Sequence, residues 1–228
     1  MLLSDNSHTP LDGPKLQILK TMKSLSLIYF LSMLRSSNLV PISRRKFDKR
    51  RVLTWGALSK IGDSIVIRVT ASKTIQFNER VQEVPLAPAE DPMFCPVSAI
   101  SNLATMVGSH NLTPDTPVFQ LPTAGGNWTP LIKADFEKWV YSRLEAAGID
   151  SSSFTLHSFR RGGIQELLFA EQNKALCQVV SDHTSEAFQV YCNVPAARRL
   201  NISRQINQNL SAASSSSTSR PPCPPPFL

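Results

Sequence analysis

The stretch FTLHSFRRGG, residues 154–163, is the part of this chain around which the rest can be organised. It places His157 and Arg160 three residues apart, and an apolar run at helical spacing follows at Ile164, Leu167 and Leu168. A His-x-x-Arg pair often arises by chance, so it decides little alone. It is either a phosphate-binding pair at the start of a helix or a solvated helix start, with His157 in the preceding loop.

A second stretch, SDHTSEAFQVY over residues 181–191, adds His183 and Tyr191. Eight residues separate the two, about two helical turns, so one short helix can present both to a single ligand. A helix over Ala175–Val180 is predicted between Arg160 and this stretch. Cations that bind a phosphate, followed by a tyrosine near the end of a domain, suit attack of a phenolic oxygen on a phosphodiester, which needs no metal. Taken without these partners, Tyr191 is more typical of a half-buried core residue on an amphipathic helix.

Two upstream cations complete the candidate set. Arg35 follows an apolar helical segment in FLSMLRSSNLVPIS, and Lys73 follows a predicted strand in IVIRVTASKTIQF. Each has a plainer interpretation. A cation at a helix C-terminus also compensates the helix dipole, and a lysine between a strand and a turn is commonly only solvated.

These segments together resemble the tyrosine recombinase (phage-integrase) family, whose motif is an Arg in a helix-turn, a Lys on a β-hairpin, His-x-x-Arg, a His or Trp, and a Tyr. Arg35 matches the first element and Lys73 the second, while His183 and Tyr191 match the last two. LRSSNLVP, SKTIQF, HSFRRGG and SEAFQVY are closest to eukaryotic mobile-element recombinases of the Crypton and DIRS type. Bacterial members usually carry an acidic residue where Asn38 stands, and their His-to-Tyr spacing is one residue longer.

The resemblance covers about residues 20–200 and implies the following fold, partners and reaction. The fold is α+β and mainly α, a helical bundle with a small antiparallel β-sheet. The partner is double-stranded DNA, on which family members self-associate as a tetramer. The reaction breaks and rejoins DNA through a 3′-phosphotyrosyl intermediate, with no metal or other cofactor.

The resemblance also implies a role for each motif residue. The two motif arginines bind the non-bridging oxygens of the scissile phosphate, since guanidinium stays charged and offers paired planar donors. His157 accepts the proton of the attacking Tyr191, because an ordinary tyrosine pKa of about 10 leaves little phenolate at neutral pH. Lys73 protonates the departing 5′ oxygen, and His183 donates to a phosphate oxygen.

Length and composition predict a single intracellular domain. The 228 residues carry a net charge of +7, which suits a polyanionic partner but does not distinguish DNA from RNA or a membrane. The four cysteines show no CxxC pair and no zinc-like spacing, which predicts reduced thiols, mostly in the core. Neither a signal peptide nor a spanning helix is visible, since the apolar segment Leu25–Leu34 is too short for a bilayer. We expect a nuclear or otherwise intracellular protein.

The punctuation of the chain predicts a loose lead-in over residues 1–14, a catalytic domain over 15–210, and a disordered Ser- and Pro-rich tail over 211–228. Helices are predicted over Leu16–Leu34, from Pro96 to Gly108, from a Thr129-Pro130 cap to Gly148, and over Ala196–Leu210. Strands are predicted over Val52–Trp55, Ile65–Val69, Ile75–Phe77 and Val84–Leu86.

A basic run from Ser43 to Arg51 supplies candidate DNA contacts at Arg44, Arg45 and Lys46. A further contact is expected at Arg161, beside the His-x-x-Arg pair. A nuclear import signal and a solvated hairpin edge are the alternatives for the run.

Family members grip DNA with a small helical core-binding domain ahead of the catalytic one, and here the catalytic segment begins almost at once. We therefore expect a chain without that domain. It is either an enzyme that cuts and rejoins DNA or a non-catalytic DNA-binding remnant. The helix over Ala196–Leu210 is either an element exchanged between neighbouring subunits or the last core helix of its own domain.

Overall fold

The computed structural model of the chain describes residues 13–72, 75, 81–108, 112–170, 180 and 196–215. These residues form a mixed α+β fold of helices and a small antiparallel sheet. The helices are α1 (Gly13–Ser32), α2 (Ser36–Leu39), α3 (Pro96–Val107), α4 (Lys133–Ala146), α5 (His157–Ala170) and α6 (Ala196–Ser215). The strands are β1 (Leu58–Ile61), β2 (Ser64–Val69), β3 (Gln82–Leu86), β4 (Gln120–Pro122) and β5 (Trp128–Pro130).

The larger sheet has the strand order β1-β2-β3, with antiparallel pairing throughout. Ile67 of the central strand lies opposite Leu58 on one side and Val84 on the other. The two-residue turn between β1 and β2 places Gly62 at a φ of 60°, the left-handed conformation that such hairpin turns require. A second sheet pairs only β4 with β5.

Helix α1 is at the centre of the core, and its second half, from Thr21 onward, is buried on nearly every face. Leu25, Ile28 and Tyr29 are buried, and α3, α5, β3 and β4 all pack against the helix. Thr21 also donates from its hydroxyl to the Gln120 carbonyl at 3.1 Å. A helix that is apolar all round is typical of a central position in the core.

Helix α6 packs on its own domain. Its Ile202 and Ile206 are buried in the core, while Ser203 and Asn207 hydrogen-bond to the backbone of Ala87 just after β3. In this single chain α6 packs on the core of its own domain, as the second alternative expects, and exchange between subunits stays a prediction.

The prediction of a strand over Val52–Trp55 was wrong. Thr54 forms only an isolated bridge with Pro117, and a 3-10 turn follows over Trp55–Ala57. The reason is that this segment bonds to the loop after α3: Trp55 donates to the Thr116 carbonyl at 3.0 Å. Strand β1 begins three residues later than Trp55 instead.

Several other predicted boundaries also differ. Thr129 and Pro130 belong to β5 instead of capping a helix, and α4 begins at Lys133, whose N–H donates to the Pro41 carbonyl at 2.9 Å. The predicted strand Ile75–Phe77 is wrong at Ile75, which is not in a strand. The rest of that prediction lies outside the described residues. Helix α6 continues to Ser215, past the start of the expected tail. The predictions for α1, α3, β2 and β3 are confirmed to within three residues.

Candidate active site

The two glycines after the His-x-x-Arg pair bring α5 into close contact with the end of α1. A Cβ on Gly163 would lie 2.1 Å from the Phe30 carbonyl oxygen and 2.9 Å from Met33 Cγ. A Cβ on Gly162 would meet only the Phe30 ring, at 3.0 Å. Because glycine alone permits the approach at Gly163, the second turn of α5 lies against the end of α1.

That turn depends on Met33, which adopts a φ of 53°, the left-handed region that side chains other than glycine rarely occupy. Its N–H donates to the Tyr29 carbonyl at 3.2 Å, and its side chain is buried. Its carbonyl accepts a 2.5 Å hydrogen bond from Nη1 of Arg160. This charge-assisted bond links the His-x-x-Arg pair to a position two residues before Arg35.

Arg160 is buried, with only 2% of its surface exposed. A buried cation is tolerated when its donors are satisfied, and the Met33 carbonyl is one acceptor for this guanidinium. Arg35 is half-buried and directly precedes α2. The fold thus brings the segment just before Arg35 to Arg160, and Arg160 lies beneath the surface.

His157 is the first residue of α5 and is exposed, which excludes its placement in a preceding loop. Partial desolvation lowers its pKa, and the positive charges of Arg160, Arg161 and Arg35 lower it further. The imidazole is therefore neutral at neutral pH and is able to accept a proton. Three arginines from two distant segments act electrostatically on this one side chain.

An aromatic row fixes the start of α5 against two other helices. Phe159 stacks on Tyr29 of α1, with ring centroids 5.4 Å apart. On its other side Phe159 meets Phe136 of α4 at 5.7 Å, and Phe136 stacks on Trp139 at 6.2 Å. Since Phe159 lies between His157 and Arg160 in sequence, this packing holds both in place.

Two of the three tyrosines are described, and neither is activated for attack. Tyr29 is 2% exposed, and burial raises its pKa. The hydroxyl of Tyr141 donates to Glu137 at 3.3 Å, and desolvation followed by the carboxylate charge raises its pKa as well. A raised pKa leaves less of the phenolate that a nucleophilic tyrosine must form.

The remaining motif residues, Lys73, His183 and Tyr191, lie outside the described residues. Ser72, which directly precedes Lys73, and Ile75, two residues after it, are described. The Ser72 N–H donates to the Ile75 carbonyl at 3.0 Å, and the Ile75 N–H donates to Ser72 Oγ at 3.2 Å.

Asn38 is a residue whose contribution sequence reasoning missed. It is 4% exposed, and its Nδ2 donates to the Ala71 carbonyl at 2.9 Å and to the Arg51 carbonyl at 3.1 Å. One amide on α2 thus joins the basic run to the chain just beyond β2. The only signal in the sequence was an amide in the turn after Arg35.

The basic run lies along the N-terminus of α4 and the loop after α3, and part of its charge is paired. Arg44 contacts Asp135 at 2.5 Å, and Lys49 contacts Asp115 at 2.5 Å. The predicted contacts Arg45, Lys46 and Arg161 are exposed, and none forms an ion pair with a residue that the structure describes. Exposed ion pairs contribute little stability, so the paired cations also remain exchangeable with phosphates.

A groove of about 370 Å³ runs between the basic run and β2. Asn38 lies at one side of it, and its cationic lining residues are Lys49, Arg50, Arg51 and Arg68. It therefore adds a basic surface adjoining the turn that carries Arg35.

The described residues contain no group of His, Cys, Asp and Glu side chains that suits a metal ion. Cys95 is a buried free thiol that accepts from the Ser98 N–H at the start of α3. Among the described helices, none combines the length and apolar character needed to cross a membrane.

Comparison with models of protein families, with curated proteins and with solved structures gave no match. The function is therefore inferred from the sequence motif and from the geometry of the site.

Proposed function

We propose that this chain is a DNA strand transferase of the tyrosine recombinase type, with the recombinase catalytic fold. The observation that carries the proposal is the packing of the His-x-x-Arg segment against the turn before Arg35, where Arg160 bonds to the Met33 carbonyl at 2.5 Å. These residues come from two distant parts of the sequence, and a glycine-dependent helix crossing brings them together. A cluster of guanidinium groups beside a neutral imidazole suits a phosphodiester and a proton transfer.

The proposed reaction is the one that the resemblance to tyrosine recombinases implies. The phenolic oxygen of Tyr191 forms a bond to the scissile phosphorus, and the bond from phosphorus to the 5′ oxygen breaks. The phenolic proton passes to neutral His157, and Lys73 supplies a proton to the 5′ oxygen. Arg35 and Arg160 stabilise the added negative charge of the transition state, and His183 donates to a phosphate oxygen.

Elimination supports Tyr191 as the nucleophile. The chain has three tyrosines, and Tyr29 is buried beneath the site. Tyr141 is bonded to a carboxylate on α4. Both have raised pKa values, which makes them poor nucleophiles. The third tyrosine, Tyr191, is also the one at the motif position.

The deciding experiment uses a nicked duplex that traps covalent intermediates, incubated with EDTA. We expect the parent chain to form a denaturant-stable adduct and Tyr191→Phe to form none while still binding DNA, because only the attacking oxygen is lost. Tyr141→Phe is the matched control and should form the adduct at the parent rate. An adduct that persists in Tyr191→Phe would reject this mechanism.

A second candidate function, DNA binding without cleavage, is favoured by the burial of Arg160. As placed, its guanidinium stabilises the Met33 turn instead of standing open to a ligand. The trapping experiment separates the two candidates. Salt-sensitive DNA binding by the parent with no adduct at any pH would establish the binding function and reject the enzyme.

A further inference from the structure

We propose that Asn38 is a positioning residue that fixes two backbone segments beside the Arg35 turn, and thereby sets the point from which the chain enters Lys73. The functional part of this inference rests on the proposed strand-transfer reaction. Its structural part depends only on two hydrogen bonds from one buried amide.

The two acceptors belong to peptide groups whose N–H ends are already bonded. The Ala71 carbonyl shares a peptide with the Ser72 N–H, which donates to Ile75. The Arg51 carbonyl shares a peptide with the Val52 N–H, which donates to the Asp48 carbonyl at 3.2 Å. Asn38 therefore supplies the hydrogen-bond donor for the carbonyl of each peptide group and fixes the orientation of each peptide plane.

The chemistry of these acceptors requires an amide at this position. Both partners are carbonyl oxygens, which only accept, and Nδ2 of asparagine carries two N–H donors. A carboxylate of the same shape would instead face two oxygens with its own negative charge while buried. That arrangement raises the pKa of the carboxyl group, and only its protonated form donates, to one of the two carbonyls.

The position of Asn38 connects its two hydrogen bonds to the candidate site. Asn38 lies three residues after Arg35, on a helix that begins immediately after that arginine. The Ala71–Ser72 peptide directly precedes Lys73 in sequence, and the Arg51 carbonyl ends the basic run. One side chain thus relates the segments that carry a phosphate-binding arginine, the proposed general acid and the DNA-contacting cations.

The structural test is amide hydrogen exchange, which needs neither DNA nor activity. In Asn38→Asp at neutral pH we expect the amides of Ser72, Ile75 and Val52 to exchange about tenfold faster, while those within α1 keep the parent rates. Ser37→Asp is the matched control, because Ser37 is exposed and the substitution adds the same charge one position away. Its exchange should equal that of the parent.

Two features distinguish positioning from a general loss of structure. Protection in Asn38→Asp should recover partly as pH falls and the new carboxyl group protonates, whereas Ser37→Asp should show no such recovery. Asn38→Ser, which adds no charge and is too short to hold both carbonyls, should loosen the same three amides at every pH. Parent-like exchange in both Asn38 variants would overturn the proposal.

The functional test uses a substrate with sulfur as the bridging 5′ atom, because a thiolate leaves without a proton from a general acid. If Asn38 acts through Lys73, Asn38→Asp should slow adduct formation on the oxygen substrate about 10- to 100-fold and on the sulfur substrate much less. Equal losses on both substrates would overturn the link to Lys73. Absence of any adduct with the parent chain would reject the strand-transfer function and leave the exchange result standing.

Discussion

Arg160 shows how one residue serves both fold and site. Its charge lies inside the protein, where a cation must be hydrogen-bonded, and the carbonyl that receives it belongs to Met33 in a left-handed conformation. The bond therefore stabilises a turn that is intrinsically unfavourable by about 1–2 kcal/mol. Any role of Arg160 toward phosphate is added to this structural one.

Arg160→Lys should consequently affect stability and activity together. Lysine offers a single ammonium group in place of the planar guanidinium, which weakens the bond to the Met33 carbonyl. We therefore expect the free energy of unfolding in urea to fall by about 1–3 kcal/mol. Adduct formation should fall about 100-fold, since one ammonium group cannot fork across two phosphate oxygens. Arg161→Lys, the exposed neighbour, should leave stability within about 0.5 kcal/mol. Equal destabilisation by both changes would contradict the assigned role.

His157 gives a prediction about pH. Partial desolvation and three arginines lower its pKa, so adduct formation should rise with pH through that lowered value and then level off. Arg161→Gln removes one of the positive charges, so the pKa of His157 should rise and the midpoint should move to higher pH. The imidazole titration by NMR and the pH-rate profile measure this shift. Lys138→Gln on α4 is the control, and a midpoint that moves to lower pH would refute the electrostatic account.

At the scale of elements, the crossing of α1 and α5 decides where the site forms. The helices approach so closely that backbone of α1 occupies the space where a side chain on Gly163 would begin. The aromatic row from Tyr29 to Trp139 then locks the rotation of α5 relative to α1 and α4.

Gly163→Ala and Gly162→Ala form a matched pair that tests the crossing. Alanine is favoured over glycine within a helix by about 1 kcal/mol, so both changes would stabilise an isolated α5. At Gly163 the Cβ meets a backbone carbonyl at 2.1 Å, and we expect a net loss of about 3 kcal/mol or more because the helices must separate. At Gly162 the Cβ meets a ring edge, so the net change should stay within about 1 kcal/mol. Urea denaturation measures both, and similar values would argue against the close crossing.

Helix α6 is attached by side-chain contacts to backbone far away in sequence. Asn207 donates to the Ala87 carbonyl at 2.7 Å, and Ser203 Oγ accepts from the Ala87 N–H at 3.0 Å. Asn207→Ala should lower the free energy of unfolding by about 1–3 kcal/mol, because a buried carbonyl loses its donor. Asn209→Ala, on the exposed face of the same helix, gives the same gain in helix propensity without that loss. In thermal unfolding, Asn207→Ala should therefore have a lower midpoint temperature than Asn209→Ala. The reverse order would mean that α6 docks differently.

For the whole molecule, the proposed function together with the net charge of +7 and the basic groove predicts electrostatically driven binding to DNA. Affinity should fall steeply between about 50 and 200 mM salt and depend weakly on sequence, since phosphate contacts release counterions. Arg45→Gln with Lys46→Gln should reduce the slope of log affinity against log salt by about 2. The control pair Lys20→Gln with Lys60→Gln removes equal charge elsewhere on the exposed surface. Flat salt dependence, or identical slopes for the two pairs, would count against this interface.

The sequence by itself determined the elements whose patterns are local. The apolar run of α1, the cap and Gly108 stop of α3, and the strands β2 and β3 each follow from residues close together in the chain. The resemblance that the motifs carry likewise implied that Arg35 and the His-x-x-Arg pair belong to one site, and in the structure Arg160 bonds to the Met33 carbonyl two residues before Arg35.

Tertiary structure decided what depends on distant partners. The segment from Thr54 to Ala57 is not part of the larger sheet, because a loop some sixty residues later supplies its hydrogen-bond partners. Thr129 and Pro130 belong to a strand because β4 lies beside them. No local pattern shows that Arg160 would be buried against Met33, or that Asn38 would hold two carbonyls, since both acceptors are ordinary backbone until the chain folds. Residue types gave the chemistry available to this protein, and the close packing of α1 against α5 decided which of those groups meet.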